Sequence, residues 1–464
     1  MRPGPRVEQS RVDLERLENG VHAWLARRRR DDAKKRYDSQ LRCLETVLDA
    51  TLQVVAGGLD GIAAPTPDQE IYEACRLADR QMVFARRLWE FYREKWDQRD
   101  DRGLSEVLTA ADEIVWSCYR PPFDHSGEPL RAPPLPYIVS DFSAYAVATT
   151  NVPPQLRSED RLLRQTVEEL PVPLIGLPYV CVAQPWWLTL VGHEVGHHVA
   201  YTVYGGAIPA MISDLVAAAA RALGGEAGSE ERWRRWSHEL FADAYAVAVV
   251  GAAHVWLLRE LLYGSDEAMT RDDASAYPPA LVRIASAVAV MEEMGVASER
   301  ALPRISPLPN VRSLSVSGED RRRIEGLLAV VPAVVPTLTG REWAIEATLA
   351  DLSGWSSDHF APAGTVEWWQ RQFAARGEPS AEPALEAPRL AGAGALAEWD
   401  DVVAGTEPAV CSARGARLRQ RMLSVVSGCG EEGKRESAAR PADVGELAQR
   451  IAREVSQISA SEPE

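Results

Sequence analysis

The chain has 464 residues, 46% of them hydrophobic and 25% charged. That is ordinary for a folded, water-soluble protein of two or three units, and it excludes wholesale disorder, collagen and coiled-coil fibre. With 51 basic against 67 acidic side chains the net charge is −16, the wrong sign for gripping phosphate backbones or anionic lipid, so no nucleic-acid partner is expected. The six cysteines form no C-x-x-C pair, which argues for buried free thiols rather than a zinc knuckle or a disulfide framework. No apolar stretch suits a signal peptide or a membrane span, so a cytoplasmic location is expected. The basic side chains comprise four lysines and 47 arginines, a bias that points to a GC-rich coding genome and a bacterial source.

Residues 1–130 read as an N-terminal helical module. The basic block Arg27 to Arg36 reads as a solvated helix face. Leu41, Leu44, Leu48, Leu52 and Val55 then recur at helical spacing up to Gly57-Gly58, read as a C-terminal cap. Thr66 and Pro67 open a second helix carrying Ile71, Leu77, Met82, Leu88, Tyr92 and Trp96. Between Tyr137 and Ala183 three β-branched and aromatic runs, Tyr137–Val139, Tyr145–Ala148 and Tyr179–Val182, predict a small sheet. The predicted fold class is therefore α+β and mainly helical, with a central domain over 131–300. Prolines at 303, 307, 309, 332, 336 and 362 divide a helical accessory layer over 301–376. Residues 377–464 read as a flexible linker, from Gly377 to about Pro408, and short C-terminal helices. The last of these, with Leu447, Ile451, Val455 and Ile458 on one face, suits docking on the body or on a partner. The module 1–130 is a second candidate for binding a partner or regulator.

Only eight residues are histidine, and four of them stand at 193, 197, 198 and 238. Pro185 suits a helix start and Gly205-Gly206 its stop. On that helix His193 and His197 lie one turn apart on one face and can reach a single zinc ion, while Glu194, rotated about 100°, sits beside the metal as a general base rather than a ligand. Val191, Val195 and Val199 surround this H-E-x-x-H pattern with apolar neighbours, where unpartnered polar groups would cost about 1–3 kcal/mol each.

A catalytic zinc needs a third protein ligand. A metzincin would continue with glycine and histidine where this chain has Ala200 and Val203, and the thermolysin spacing falls on Ala217. Among the next glutamates, only Glu239 is followed four residues later by an aspartate, Asp243. On a helix starting after Ser229 the two carboxylates share a face, and Ala242 and Ala246 are small enough to let this helix approach the first one closely. Glu239 is the expected third ligand, and Asp243 the expected acceptor of a ligating histidine's N–H.

The pair His193-Glu194-x-x-His197 and Glu239-x-x-x-Asp243 resembles the gluzincins, zinc metallopeptidases with H-E-x-x-H on one helix and E-x-x-x-D on a later one. Tyr277-Pro278-Pro279-Ala280-Leu281-Val282-Arg283-Ile284 is similar to the H-P-x-x-x-x-R-I segment of the CAAX prenyl endopeptidase group, with tyrosine for histidine and without that group's membrane helices. The resemblance covers residues from about 171 to 295. It implies a zincin-like core with an edge strand above the active-site helix, placed at Leu174 to Val182, along which an extended peptide could pair. The expected activity is zinc-dependent hydrolysis of peptide bonds in a protein or peptide substrate, with Glu194 moving a proton from water to the leaving amine. Tyr277, Arg283 and Tyr245 are the candidates for stabilising the oxyanion. The alternatives are a metal-binding scaffold or sensor of the same fold without turnover, and a helical interaction protein without metal. His22, His125, His254 and His359 carry no pattern.

Overall fold

The computed structural model describes residues 3–32, 36–62, 66–140, 144–147, 170–224, 229–272, 277–295, 311–341, 343–360, 364–375, 385–403, 408–429 and 441–458. Its longer helices are α1 (Pro3–Asp31), α2 (Asp38–Asp60), α3 (Asp68–Asp97), α4 (Arg102–Tyr119), α5 (Val191–Thr202), α6 (Ile208–Ala222) and α7 (Glu230–Val250). They are followed by α8 (Ala252–Leu262), α9 (Ala280–Glu293), α10 (Gly318–Thr339), α11 (Thr365–Ala374), α12 (Ala387–Val403), α13 (Pro408–Gly428) and α14 (Pro441–Ser456). The strands are β1 (Leu135–Val139), β2 (Tyr145–Val147) and β3 (Leu174–Pro178). The protein is thus mainly helical with one small sheet.

The sheet has the order β1-β3-β2, with β1 parallel and β2 antiparallel to β3. Its alternation separates two hydrophobic clusters. Leu135, Tyr137 and Leu174 face the cluster built from α1, α2 and α3, whereas Ile138, Ile175 and Leu177 face the cluster built around α5 and α7. Helix α4 contributes Val107, Leu108, Ile114 and Val115 to the second cluster.

Several local expectations need correction. The third strand is Leu174–Pro178, while Val180–Ala183 forms a helical turn; Pro178 has no N–H with which to continue the ladder. This strand is also central rather than at an edge, and among the described residues β2 is an edge strand of the sheet. Helix α2 runs through Gly57 and Gly58 to Asp60 because Leu59 is buried and holds the last turn on the core. Pro332 and Pro336 lie inside α10 instead of dividing it. Within the expected linker, Ala387–Val403 is a packed helix. Its small residues are the reason: a Cβ on Gly392 would lie 2.6 Å from the Val250 carbonyl oxygen, and one on Gly394 would lie 2.8 Å from Met422 Sδ. Residues 376–384 and 404–407 of that segment lie outside the described residues.

The C-terminal helix docks on the body. Val444, Ala448, Ile451 and Val455 are buried in the first cluster, and the Gln81 amide donates to the Val455 carbonyl at 3.2 Å. The arginine block is folded in only in part: Arg28 meets Asp97 and Asp100 at 3.0 and 2.5 Å, and Arg29 meets Glu45 at 2.6 Å, while Arg27 and Arg30 stay exposed and residues 33–35 lie outside the described residues. Lys95 is the exception, buried over the Phe91 ring at 3.6 Å with the Phe91 carbonyl as an acceptor at 3.1 Å. Burial pushes its pKa down to about 8. The folded value lies below the unfolded one, so the penalty is fully present below pH 8 and is relieved as pH rises from about 8 toward 10.5. Lys95→Met is expected to raise stability at neutral pH by about 2–3 kcal/mol, read as a higher urea midpoint that converges with wild type above pH 10.

Candidate metal centre

Residues Pro185–Leu190 form a 3-10 segment that leads directly into α5, and the chain leaves α5 through Gly205 and Gly206 at φ 62° and 76°. The helix lies across α7 at very short range. A Cβ on Gly192 would stand 3.0 and 3.1 Å from the Val249 and Val250 side chains, and one on Gly196 would stand 3.1 Å from both Ala242 Cα and Tyr245 Cβ. Ala242 and Ala246 were expected to permit a close approach, and Gly192 and Gly196 supply the other half of it. Any larger residue along this seam would force the helices apart.

That approach brings three donors together. His193 Nε2 and His197 Nε2 are 3.2 Å apart, Glu239 Oε2 is 3.4 Å from His193 Nε2, and Glu239 Oε1 is 3.4 Å from His197 Nε2. Four ligands placed tetrahedrally around zinc at about 2.05 Å have edges of about 3.3 Å. The observed separations, taken to the two different oxygens of the Glu239 carboxylate, are of that size. Glu239 Oε2 is moreover buried without a hydrogen bond of good geometry, although Arg283 Nη2 lies 3.1 Å from it. Two ring nitrogens facing each other beside a carboxylate oxygen without a hydrogen bond are the donor set that a cation satisfies. His193, His197 and Glu239 are therefore a candidate metal-binding group among the described residues.

Asp243 sits where the sequence expects it. Its Oδ1 accepts from His193 Nδ1 at 2.8 Å, which leaves Nε2 turned toward His197 and Glu239. Burial disfavours charge on His193, but Asp243 and Glu239 outweigh it and raise its pKa to about 10. Burial works against the Asp243 and Glu239 carboxylates too, yet Arg283 and the histidines hold both below the usual range. Glu194 differs: burial pushes its pKa up, only partly opposed by His193 and His197. It lines the same cleft as the three donors.

The three oxyanion candidates have separate fates. Tyr245 is fully buried, and its hydroxyl donates to the Cys118 carbonyl at 2.5 Å. It is a core residue, and its spacing from Asp243 misled because helical position alone does not say which neighbour a tyrosine meets. Arg283 is engaged with carboxylates, its Nε donating to Asp243 Oδ2 at 2.6 Å and its Nη2 to Oδ1 at 3.1 Å. Tyr277 lies on the cleft wall, 57% exposed, with its ring 5.8 Å from the Arg283 guanidinium.

Sequence reasoning missed His254. It stands near the start of α8, its ring stacked 6.2 Å from that of His193, with Nε2 3.3 Å from Asp243 Oδ1. It thereby shares Asp243 with His193 and Arg283. A lone histidine in the apolar run Ala252-Ala253-His254-Val255-Trp256-Leu257 gives no spacing signal. His198 is structural, with its ring 3.2 Å from the Leu174 carbonyl and its pKa lowered by burial to about 3. His238 stacks against Tyr201 at 6.0 Å.

The site opens to a cleft of about 690 Å³, whose walls include Tyr145 and Ala146 of β2 and Leu258, Leu261 and Leu262 of α8. No protein-family model matches the chain, and comparisons with curated proteins and with solved structures find no match either.

Proposed function

We propose that the protein is a zinc-dependent metallopeptidase with a zincin-like core, in which His193, His197 and Glu239 hold the ion and Glu194 is the general base. The observation that carries this reading is the convergence of His193 Nε2, His197 Nε2 and the two Glu239 carboxylate oxygens at 3.2, 3.4 and 3.4 Å, with Glu194 buried beside them and lining the cleft. Zinc in such a site supplies Lewis acidity toward a carbonyl and toward water. The protein's own groups do the rest. Asp243 fixes the His193 tautomer, and Arg283 holds Asp243 and Glu239 ionised. Glu194 takes a proton from the attacking water and returns it to the departing amine. The Tyr277 hydroxyl donates to the oxygen that gains charge as the carbonyl becomes tetrahedral. An extended peptide lies along β2, the strand edge nearest α5. No described helix is long and apolar enough to cross a membrane, and the substrate in this reading is a soluble protein or peptide segment.

Metal analysis of gently purified protein is expected to give close to one zinc per chain. Removal with a strong chelator is expected to abolish casein hydrolysis, and zinc addition to restore it, with proton release because His193 must lose its proton to bind. Purified protein without zinc would end this reading. Tyr277→Phe is expected to lower kcat by about 10²–10³ with little change in KM, measured on a fluorogenic peptide.

A further inference from the structure

On the peptidase reading above, we propose that α8 is the specificity wall of the cleft and selects substrates with a bulky aliphatic or aromatic side chain beside the scissile bond. His254 anchors one face of α8 against the metal-binding group by its 6.2 Å stacking on His193. Residues four, seven and eight positions further along a helix lie on that same face. In this chain those are Leu258, Leu261 and Leu262, and all three line the cleft. At 1.5 Å per residue they stand about 6–12 Å along the helix axis from His254. An extended peptide puts side chains on one side about every 6.6 Å. A peptide that runs parallel to the axis of α8 with one side chain at Leu258 therefore carries the next to Leu261 and Leu262.

Exposure follows the same gradient. Leu258 is buried, whereas Leu261 and Leu262 are only half-buried at the end of α8. Leu190, one turn before Glu194, and Pro278 continue the apolar lining on either side. Apolar side chains left partly open in a cleft are the pattern of a binding surface rather than of a core. The charged groups among the described lining residues, Glu194, Glu239 and Arg283, all belong to the metal-binding group and its support. Selection in this wall therefore falls on apolar bulk.

The test uses the full zinc-loaded chain and two readouts. Cleavage sites in denatured casein are mapped by mass spectrometry for wild type, Leu261→Lys and Leu262→Lys. Binding of zinc-loaded Glu194→Gln to N-acetylated peptides that differ only as leucine or alanine at the varied position is measured by calorimetry. Wild type is expected to cut beside Leu, Phe or Met, with leucine favoured over alanine by about 50-fold, as three buried carbons imply. Either lysine variant is expected to lose that preference and accept Asp or Glu there. Both side chains are half-buried, so these variants are expected to fold, which circular dichroism checks. Cleavage without an apolar preference, or the same preference in both lysine variants, overturns the specificity wall and leaves the peptidase reading intact. If wild type cuts nothing but Glu194→Gln binds leucyl over alanyl peptides, the wall stands and the peptidase reading fails. If neither cleavage nor selective binding is seen, both fail.

Discussion

Glu194→Gln is expected to reduce peptide hydrolysis by about 10²–10⁴-fold, the usual share of a positioned general base, while the zinc content stays that of wild type. The amide keeps the volume of the carboxylate and its place beside His193, and Glu194 is not among the three grouped donors. What is lost is the ability to carry a proton. Because burial raises the pKa of Glu194 above the ordinary carboxylate value, the base is ionised only above that raised value. On the peptidase reading, the acid limb of wild-type kcat/KM is therefore expected above pH 4.3, the usual glutamate pKa, and the residual rate of the variant is expected to lack that limb. A variant that keeps zinc and cleaves as fast as wild type removes Glu194 from the mechanism. A wild type that binds zinc and cleaves nothing favours a metal-binding scaffold without turnover.

The second large effect is on stability. Arg283→Met is expected to cost the metal-free protein about 3–5 kcal/mol, the range found when one partner of a buried ion pair is removed. Arg283 is 7% exposed and lies 2.6 Å from Asp243 and 3.1 Å from Glu239. Methionine fills part of the volume but leaves two buried carboxylates facing each other with less compensating charge. Saturating zinc is expected to restore part of the loss, because a ligand that binds only the folded state adds RT ln(1 + [L]/Kd). Urea unfolding of the two proteins, with chelator and with zinc, checks both statements. In wild type the depressed pKa of Asp243 means that its stabilising contribution is present above about pH 4, the unfolded value, and is lost as pH falls toward the lower folded value.

The legible parts of the site were those set by helical periodicity. His193 and His197, and Glu239 and Asp243, are each one turn apart on a single element, so their shared faces follow from the spacing alone. The alanines at 242 and 246 announce the close approach of α7, and the glycines at 192 and 196 complete it from the other helix. What depends on distant partners was less legible. The order β1-β3-β2 joins segments some 40 residues apart, and nothing within Leu174–Pro178 says that it pairs on both sides. His254 lies beyond the break at Gly251, where φ is 84°, and its meeting with Asp243 depends on how α8 turns back rather than on any spacing. The stretch around Ala387 looked like a linker because it lacks large apolar residues, and the same smallness lets α12 reach the Val250 backbone.

The glycine–alanine seam between α5 and α7 also bears on the spacing of the donors. Its two walls are already close, Gly196 against Ala242 and Gly192 against Val249 and Val250, so the approach of Glu239 on α7 to the histidines on α5 is limited by helix contact before any ion arrives. Calcium, with six to eight oxygen ligands at about 2.4 Å, has octahedral donor edges of about 3.4 Å, so spacing alone does not separate it from zinc and the two imidazole donors do. On the metal-site reading, the packing of two helices thus holds the spacing of the donors, while the choice among ions that fit it falls to the two imidazoles, which favour transition metals over alkaline-earth ones.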